Sequence, residues 1–362
     1  KKIKMNKPYI RRIIKQSSRQ QISRLPLSTL SINQTRNYRI QQNGTMSSFR
    51  NQWRPINRHV VRTTEQLRMY STVKLNYKLT ENENGVEDVP LVMIHGLFGN
   101  RLNFLTYTAN SKQSGGHKKI YSIDLRNHGK SPVGDDMKLT TLAADVLQFL
   151  DDHDIKKCHL FGFSLGGRVA MLLALNHGDR FEKLALGDIA PLSYKSWNIP
   201  SVLKAMQSVD LSACKSRKEI DAHLIEAGIN DQQERIFLTT NIGRTKEEGF
   251  FWKIPLDIYE ENLTRLSEFP IDEQLAPIEG YESDLTNLKP YTGPTLLIRG
   301  ELSNYVKDEY IPLIKTMFTE CELKTYPGAA HWVHFENPGQ FFHDIQSHFI
   351  PSYEPMEPAI IH

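Results

Sequence analysis

From residue 72 onward, apolar and polar positions follow two alternating patterns. Stretches with apolar residues at helical spacing occupy residues 139–150, 168–176 and 341–349. Short strand-like apolar runs lie before, between and after them, at residues 72–79, 90–94, 119–124, 158–161, 184–187, 295–298 and 322–326. Strands that alternate with helices predict an α/β fold, in which helices flank a mostly parallel central sheet.

Residues 192–290 interrupt this alternation and read mainly as helices. Ser216 and Glu219 have the spacing of a capping box, which predicts the start of a helix that ends at Gly228. An excursion between two strands should lie over the strand ends as a lid. We therefore expect an α/β core in residues 71–191 and 291–350, a helical lid in 192–290 and a tail in 351–362. Six aromatic residues of the excursion suit either its own core or a pocket lining: Trp197, Phe237, Phe250, Phe251, Trp252 and Tyr259.

The first 70 residues form a basic arm, with sixteen Lys and Arg against the single acid Glu65, although the whole chain has a net charge of +4. They contain no long apolar pattern, so we expect them to be disordered. Arg- and Ser-rich, acid-poor composition is typical of a mitochondrial transit peptide, and residues 68–71 resemble a matrix processing site. We expect a mitochondrial matrix protein that matures near Ser71. Translation from Met46 or Met69 would leave it cytoplasmic.

Other features narrow the function classes. An inert extension and a nucleic-acid-binding arm are the alternatives for residues 1–70, but scattered cations argue against nucleic acid.

The richest apolar run, residues 169–175, is far shorter than the roughly 18 residues that a membrane span needs. Cys158, Cys214 and Cys321 are too widely spaced for a disulfide framework or a zinc cluster. We therefore predict no membrane span, no metal and no cofactor, and expect a reducing compartment.

The strongest chemical motif is Gly-x-Ser-x-Gly at residues 162–166, between a predicted strand and a predicted helix. In that context the motif predicts a nucleophile elbow, a strained turn that exposes the hydroxyl of Ser164. Gly162 and Gly166 would relieve the crowding around it. A phosphate-binding turn is the alternative, but the chain lacks the Gly-Lys-Ser/Thr ending and the G-x-G-x-x-G spacing.

A serine hydroxyl needs an imidazole base that is oriented by a carboxylate. His331 follows the last predicted strand in a run of small residues, which makes it the leading base. The rival is His334, for which we expect a position on the surface or at a helix start. Asp188 ends the strand after the nucleophile strand and is the favoured acid.

Two other carboxylates remain alternatives for the acid, Glu301 and Asp308. The loop after the strand at 295–298, where the acid commonly lies, offers only Ser303 or Asn304 at the expected position. Neither can stabilise an imidazolium as a carboxylate would.

The attack also needs backbone donors for the oxyanion. The amide of Leu165, just after the nucleophile, is one expected donor. The turn at residues 95–99 should supply the second from Leu97 or Phe98. For His95 and for the polar turn at residues 124–131 we expect structural hydrogen bonding rather than catalysis.

Taken together, the motifs resemble the alpha/beta-hydrolase fold serine hydrolases. The likeness is greatest to the mitochondrial alpha/beta-hydrolase domain-containing protein 11 group and related bacterial short-acyl esterases, and extends more distantly to yeast ethanol acetyltransferases. It covers roughly residues 72–350, implies carboxylester hydrolase activity and supports Asp188 as the acid. The motifs are HGLFG at 95–99, DLRNHG at 124–129, GFSLGG at 162–167, DIAP at 188–191, IRG at 298–300 and GAAHW at 328–332.

We therefore predict a serine hydrolase that cleaves esters or thioesters of small to medium acyl groups through an acyl-enzyme. Alcohol acyltransfer uses the same residues and is an alternative, as is a perhydrolase or lyase on the same triad. A serine in the elbow disfavours the related enzymes that use an aspartate nucleophile. The alternative from another class is a non-catalytic module that binds a protein partner, such as a matrix enzyme complex, through the lid.

Overall fold

The structure, a computed structural model, describes residues 72–194, 198–269 and 289–353. The predicted basic arm with its processing site, Trp197 and most of the predicted tail lie outside the described residues. Within the described part, no helix is long and apolar enough to cross a membrane. The thiols of Cys158, Cys214 and Cys321 are all free.

A seven-stranded sheet forms the centre of the fold, in the order β1-β3-β2-β4-β5-β8-β9. Strand β1 pairs antiparallel with β3, and all other neighbours are parallel. The predicted mostly parallel α/β sheet is thus confirmed. The strands are β1 (Asn76–Glu81), β2 (Leu91–Ile94), β3 (Lys119–Asp124), β4 (Cys158–Phe163), β5 (Phe181–Gly187), β8 (Thr295–Gly300) and β9 (Cys321–Tyr326).

Helices cover both faces of this sheet. Alternate residues of β2 show the two layers. Val92 and Ile94 pack with the helices at residues 139–152 and 165–177, whereas Leu91 and Met93 pack with those at 105–113 and 338–349. A strand buried on both faces has no polar side, which explains its continuous apolar sequence. The helices of the core are α1 (Leu105–Gln113), α2 (Leu139–Asp152), α3 (Leu165–His177), α9 (Ile311–Met317), α10 (Val333–Glu336) and α11 (Pro338–Phe349).

The chain leaves the sheet after β5 and returns at β8. Ser216 caps the second helix of this excursion by accepting the Glu219 N–H, and Gly228 beyond its end has a φ of +99°, so the predicted start and stop are both present. The described elements of the excursion are α4 (Ile199–Ser208), α5 (Arg217–Glu226), α6 (Gln232–Thr239), β6 (Ile242–Thr245), β7 (Gly249–Trp252), α7 (Leu256–Glu261) and α8 (Leu263–Ser267).

Two features depart from the sequence pattern. Strands β6 and β7 form an antiparallel hairpin inside the mainly helical excursion, and Phe250, Phe251 and Trp252 lie on it. Helix α1 was not predicted because its sequence has no apolar stripe. It is held instead by Tyr107, which packs against Phe341 of α11, and by Phe104 just before the helix, which packs against Phe161 of β4.

The sheet order also marks one edge as the place for a site. Strand β2 leads to β3 on one side, and β4 leads to β5 on the other, so the direction of winding reverses between β2 and β4. In open α/β sheets, ligands bind outside the carboxyl ends of the strands at this switch point. The residues that follow β2 and β4 are His95 and Ser164.

Candidate active site

Ser164 occupies a sharp turn between β4 and α3. Its backbone has φ 52° and ψ −116°, a conformation that non-glycine residues rarely adopt. The turn is tight because glycines flank it: a Cβ at Gly162 would lie 2.3 Å from the Gly166 carbonyl oxygen, and one at Gly166 would lie 2.4 Å from the Ile94 carbonyl oxygen. The strained turn thus has the geometry expected of an elbow, and the side chain of Ser164 stays partly exposed.

We expect Gly166→Ala to lower the free energy of unfolding by about 2–3 kcal/mol, because the added methyl meets fixed backbone oxygens of Ile94 and His95. Thermal unfolding followed by circular dichroism should show a Tm lower by roughly 5–10 °C. Gly339→Ala is the matched control, since nothing lies within 4 Å of a Cβ there and the residue is helical. Its Tm should be unchanged or slightly raised. Equal Tm values for the Gly166 variant and the unsubstituted chain would contradict the steric argument.

The structure brings three of the predicted residues together at the carboxyl ends of the strands. The Nε2 atom of His331 lies 3.0 Å from Ser164 Oγ, and its Nδ1 lies 2.7 Å from Asp188 Oδ2. Because a carboxylate only accepts, Nδ1–H donates to Asp188, and Nε2 is free to accept the hydroxyl hydrogen of Ser164. This tautomer is the one that a base for the hydroxyl requires.

Two aromatic rings hold the imidazole of His331. The ring of Tyr305 lies 4.1 Å from the imidazole, and the ring of Phe163 lies 4.9 Å from it, both measured between ring centroids. Burial, with the nearby carboxylates of Asp188 and Glu234, raises the pKa of Tyr305 to about 12. The phenol therefore stays neutral and packs against the ring without competing for its protons.

Asp188 is fully buried at the end of β5, with a φ of +46°. Besides His331, its carboxylate accepts the Ser303 hydroxyl at 2.5 Å and the Gly300 N–H at 3.1 Å. Its own N–H donates to the Ile298 carbonyl at 2.7 Å. Three donors, from His331, Ser303 and Gly300, thus fix the direction of the carboxylate.

The other candidates point elsewhere. The Glu301 carboxylate accepts the Gly328 N–H, and Asp308 is an exposed partner of Arg299. Of the two positions expected for His334, the structure shows the helix start: it is the second residue of α10, and only 7% of it is exposed. It packs 4.3 Å from Phe163, and burial lowers its pKa to about 3.

Of the three expected oxyanion donors, one is already engaged. The Phe98 N–H donates to His128 Nε2 at 3.2 Å, and burial keeps the pKa of His128 well below its ordinary value, so the ring stays a neutral acceptor. Within the described residues, the amides of Leu97 and Leu165 have no hydrogen-bond partner. Leu165 is the first residue of α3, where amides lack intrahelical acceptors. The geometry thus favours Leu97 over Phe98 as the second donor.

The excursion supports this turn from outside the core. Asn241 donates its side-chain N–H to the Phe98 carbonyl at 2.6 Å. The ring of Tyr259 stacks on Phe98 at 5.2 Å, and its hydroxyl donates to the Asn127 carbonyl. Phe98 itself has a φ of +61°, so these contacts hold a strained residue in place. Sequence reasoning missed Asn241, since no motif marks it.

The polar turns beside the site are structural, as expected. His95 accepts the Leu125 N–H and donates to the Gly96 carbonyl. The buried Asp124 accepts from Asn76, from Arg101 and from the Lys130 N–H. These bonds tie the turn after β2 to the turn after β3.

A cavity of about 340 Å³ lies between the core and the excursion, and its lining does not include Ser164, His331 or Asp188. It reaches Trp332, the residue after His331, whose ring packs 4.3 Å from Phe237 of α6. Most of its wall is apolar, and the apolar lining residues are Leu102, Ile236, Phe237, Trp332 and Phe335. No group of three or more metal-ligating side chains occurs in the part of the chain that the structure describes.

Known proteins share this arrangement of elements. Residues 89–208 match the family model described as alpha/beta hydrolase fold. The chain is 31% identical to the sn-1-specific diacylglycerol lipase ABHD11 of Danio rerio over 78% of this chain and 84% of that one. It is 28% identical to a probable alcohol acetyltransferase of Saccharomyces cerevisiae over 75% of this chain and 80% of that one.

Two esterases extend the comparison. The identity to Esterase YbfF of Escherichia coli is 27%, over 74% of this chain and 95% of that one. Among solved structures, a marine microorganism esterase superposes with a TM-score of 0.66 and 33% identity, covering 76% of this chain and 100% of that one.

Proposed function

Since this chain belongs to the alpha/beta-hydrolase fold family and is a carboxylic ester hydrolase, we propose that Ser164, His331 and Asp188 are its catalytic triad. The observation that carries the proposal is the continuous hydrogen-bond chain from Ser164 Oγ through the imidazole to Asp188, with steps of 3.0 and 2.7 Å. The substrates are esters or thioesters of small to medium acyl groups, a size that suits the cavity of about 340 Å³.

In the acylation step, Ser164 Oγ attacks the carbonyl carbon while its proton moves to His331 Nε2. The carboxylate of Asp188 stabilises the imidazolium, and the amides of Leu97 and Leu165 donate to the oxyanion. The imidazolium then protonates the leaving alcohol or thiol. Water, activated by the same imidazole, attacks the acyl-enzyme, releases the acid and returns the proton to Ser164.

The excursion at residues 192–290 acts as a lid in this proposal. It contributes Ile236 and Phe237 to the cavity wall and positions Phe98 through Asn241. Alcohol acyltransfer is the second candidate, because the same acyl-enzyme can react with an alcohol in place of water. The similarity to a probable alcohol acetyltransferase favours it.

A fluorophosphonate probe tests the nucleophile directly. We expect the unsubstituted chain to be labelled and Ser164→Ala to remain unlabelled, because the probe phosphonylates only an activated serine. Ser212→Ala, which removes an exposed hydroxyl from the excursion, should label normally. Intact folding without any labelling would support the partner-binding alternative, and labelling of the Ser164 variant would place the nucleophile elsewhere. Turnover of esters of increasing acyl length would then give the size of the pocket.

A further inference from the structure

One wall of the cavity is strongly cationic. Arg101, Lys130 and Lys253 all line it. Arg101 forms a 2.6 Å ion pair with the buried Asp124, but neither lysine forms an ion pair with any residue that the structure describes. The lining therefore carries two further cations, Lys130 and Lys253, against the single carboxylate of Glu336.

The neighbourhood disfavours the charged form of Lys253. Burial, together with the cations of Arg217 and Arg101, lowers the pKa of Lys253. Its ammonium donates to the Thr240 carbonyl, a neutral acceptor. Both Lys130 and Lys253 are exposed, and a bound anion would relieve the repulsion between Lys253 and the neighbouring cations.

The carboxylates near the cavity leave an excess of positive charge. Asp124 is fully buried and saturated by donors from Asn76, Arg101 and the Lys130 backbone. Glu336 lines the cavity beside Trp332, and its carboxylate accepts the Ala330 N–H at 2.5 Å. Most of the exposed wall area is apolar, although Gln233, Thr240 and three asparagines also line it, so the cavity fits a ligand with an apolar body and an anionic end.

We propose that the preferred substrates are esters or thioesters that carry a carboxylate or phosphate, held by Lys130 and Lys253 while the apolar part lies against Trp332 and Phe237. This inference rests on the proposed function, because it takes the cavity next to His331 as the binding site of the substrate that Ser164 attacks. Charge-assisted hydrogen bonds to an anion are roughly twice as strong as neutral ones and add specificity.

Matched substrate pairs test the proposal and locate the anion. One pair is the p-nitrophenyl monoester of glutaric acid and its methyl-capped neutral analogue, which place or remove a charge on the acyl side. The other pair is butyrylglycerol phosphate and butyrylglycerol, which do so on the alcohol side. We expect kcat/KM to favour the anionic member of at least one pair by about tenfold or more, and the preference to weaken as salt is added.

The variant Lys130→Met/Lys253→Met should lose most of this preference, with circular dichroism confirming its fold. Lys119→Met is the control, because this exposed lysine lies at the amino end of β3, opposite the site. No anion preference in the unsubstituted enzyme, or an unchanged preference in the double variant, would overturn the inference while leaving the triad intact.

Loss of all labelling and turnover would instead contradict the proposed function. In that case Ser164→Ala can be titrated with monomethyl and dimethyl adipate, followed by tryptophan fluorescence, because Trp332 lines the cavity. Tighter binding of the monoanion, abolished in the lysine variant, would still support the anionic site. Equal affinity for the two compounds would overturn it.

Discussion

Ser164→Ala and His331→Ala should each lower kcat for an activated ester by about 10⁵–10⁶-fold, and the double variant should lose no more than either single one. The reason is that the two side chains act as one unit across a 3.0 Å hydrogen bond. A hydroxyl without its base is not an effective nucleophile, and the base without the hydroxyl has no proton to accept. Steady-state rates of p-nitrophenyl butyrate hydrolysis, taken after any initial burst, give kcat for the single variants and for the double variant.

Two controls separate this loss from damage to the fold. Ser212→Ala and His343→Ala remove a serine and a histidine that have no contact with the site, and both should retain turnover. Thermal unfolding should show that each variant is folded. If the losses of the single variants multiplied in the double variant, Ser164 and His331 would act independently and the proton-transfer unit would be refuted.

Asp188→Asn should lower kcat by about 10³–10⁴-fold. An amide at this position can present its N–H₂ to His331 Nδ1, which favours the tautomer with its hydrogen on Nε2 and so removes the acceptor for the Ser164 proton. Asparagine is the suitable replacement because it tolerates the φ of +46° at this residue. Measurement of kcat across a range of pH, with fluorophosphonate labelling rate as a second readout, would test the effect.

A second substitution distinguishes the role of the charge from that of the position. Ser303 Oγ and His331 Nδ1 contact the same oxygen of Asp188, at 2.5 and 2.7 Å. A carboxylate on residue 303 would therefore lie close to the imidazole. We expect Ser303→Asp to restore at least about tenfold of the activity that Asp188→Asn loses. Near-normal kcat in Asp188→Asn would show that another group orients His331.

The sheet and the elbow could be predicted because their causes are local in the sequence. Strands buried on both faces must be continuously apolar, and the turn at Ser164 must have glycine on both sides. The acid of the triad was harder to predict, because the sequence alone leaves Glu301 and Asp308 as alternatives to Asp188. The pairing of Gly187 with Ile298 in neighbouring strands brings Asp188 beside Gly300, and that register is a property of the folded sheet.

The same register explains the missing acid in the loop after β8. Ser303 lies in the loop that commonly carries the acid, and its hydroxyl donates to Asp188 instead of replacing it. The support of Phe98 by Asn241 and Tyr259 was beyond sequence reasoning for a related reason. These residues are more than 140 positions from the turn that they hold, and neither belongs to a motif.

The contacts at Phe98 mean that the excursion is more than a cover over the cavity. Asn241 and Tyr259 secure the same turn that offers the Leu97 amide, so a large outward swing of the hairpin and α7 would leave that turn unsupported. Substrate must therefore enter while the hairpin and α7 keep their positions, or bind before the Leu97 amide is in place to donate to the oxyanion. A shortened chain without the excursion would lose turnover itself, not only discrimination between substrates.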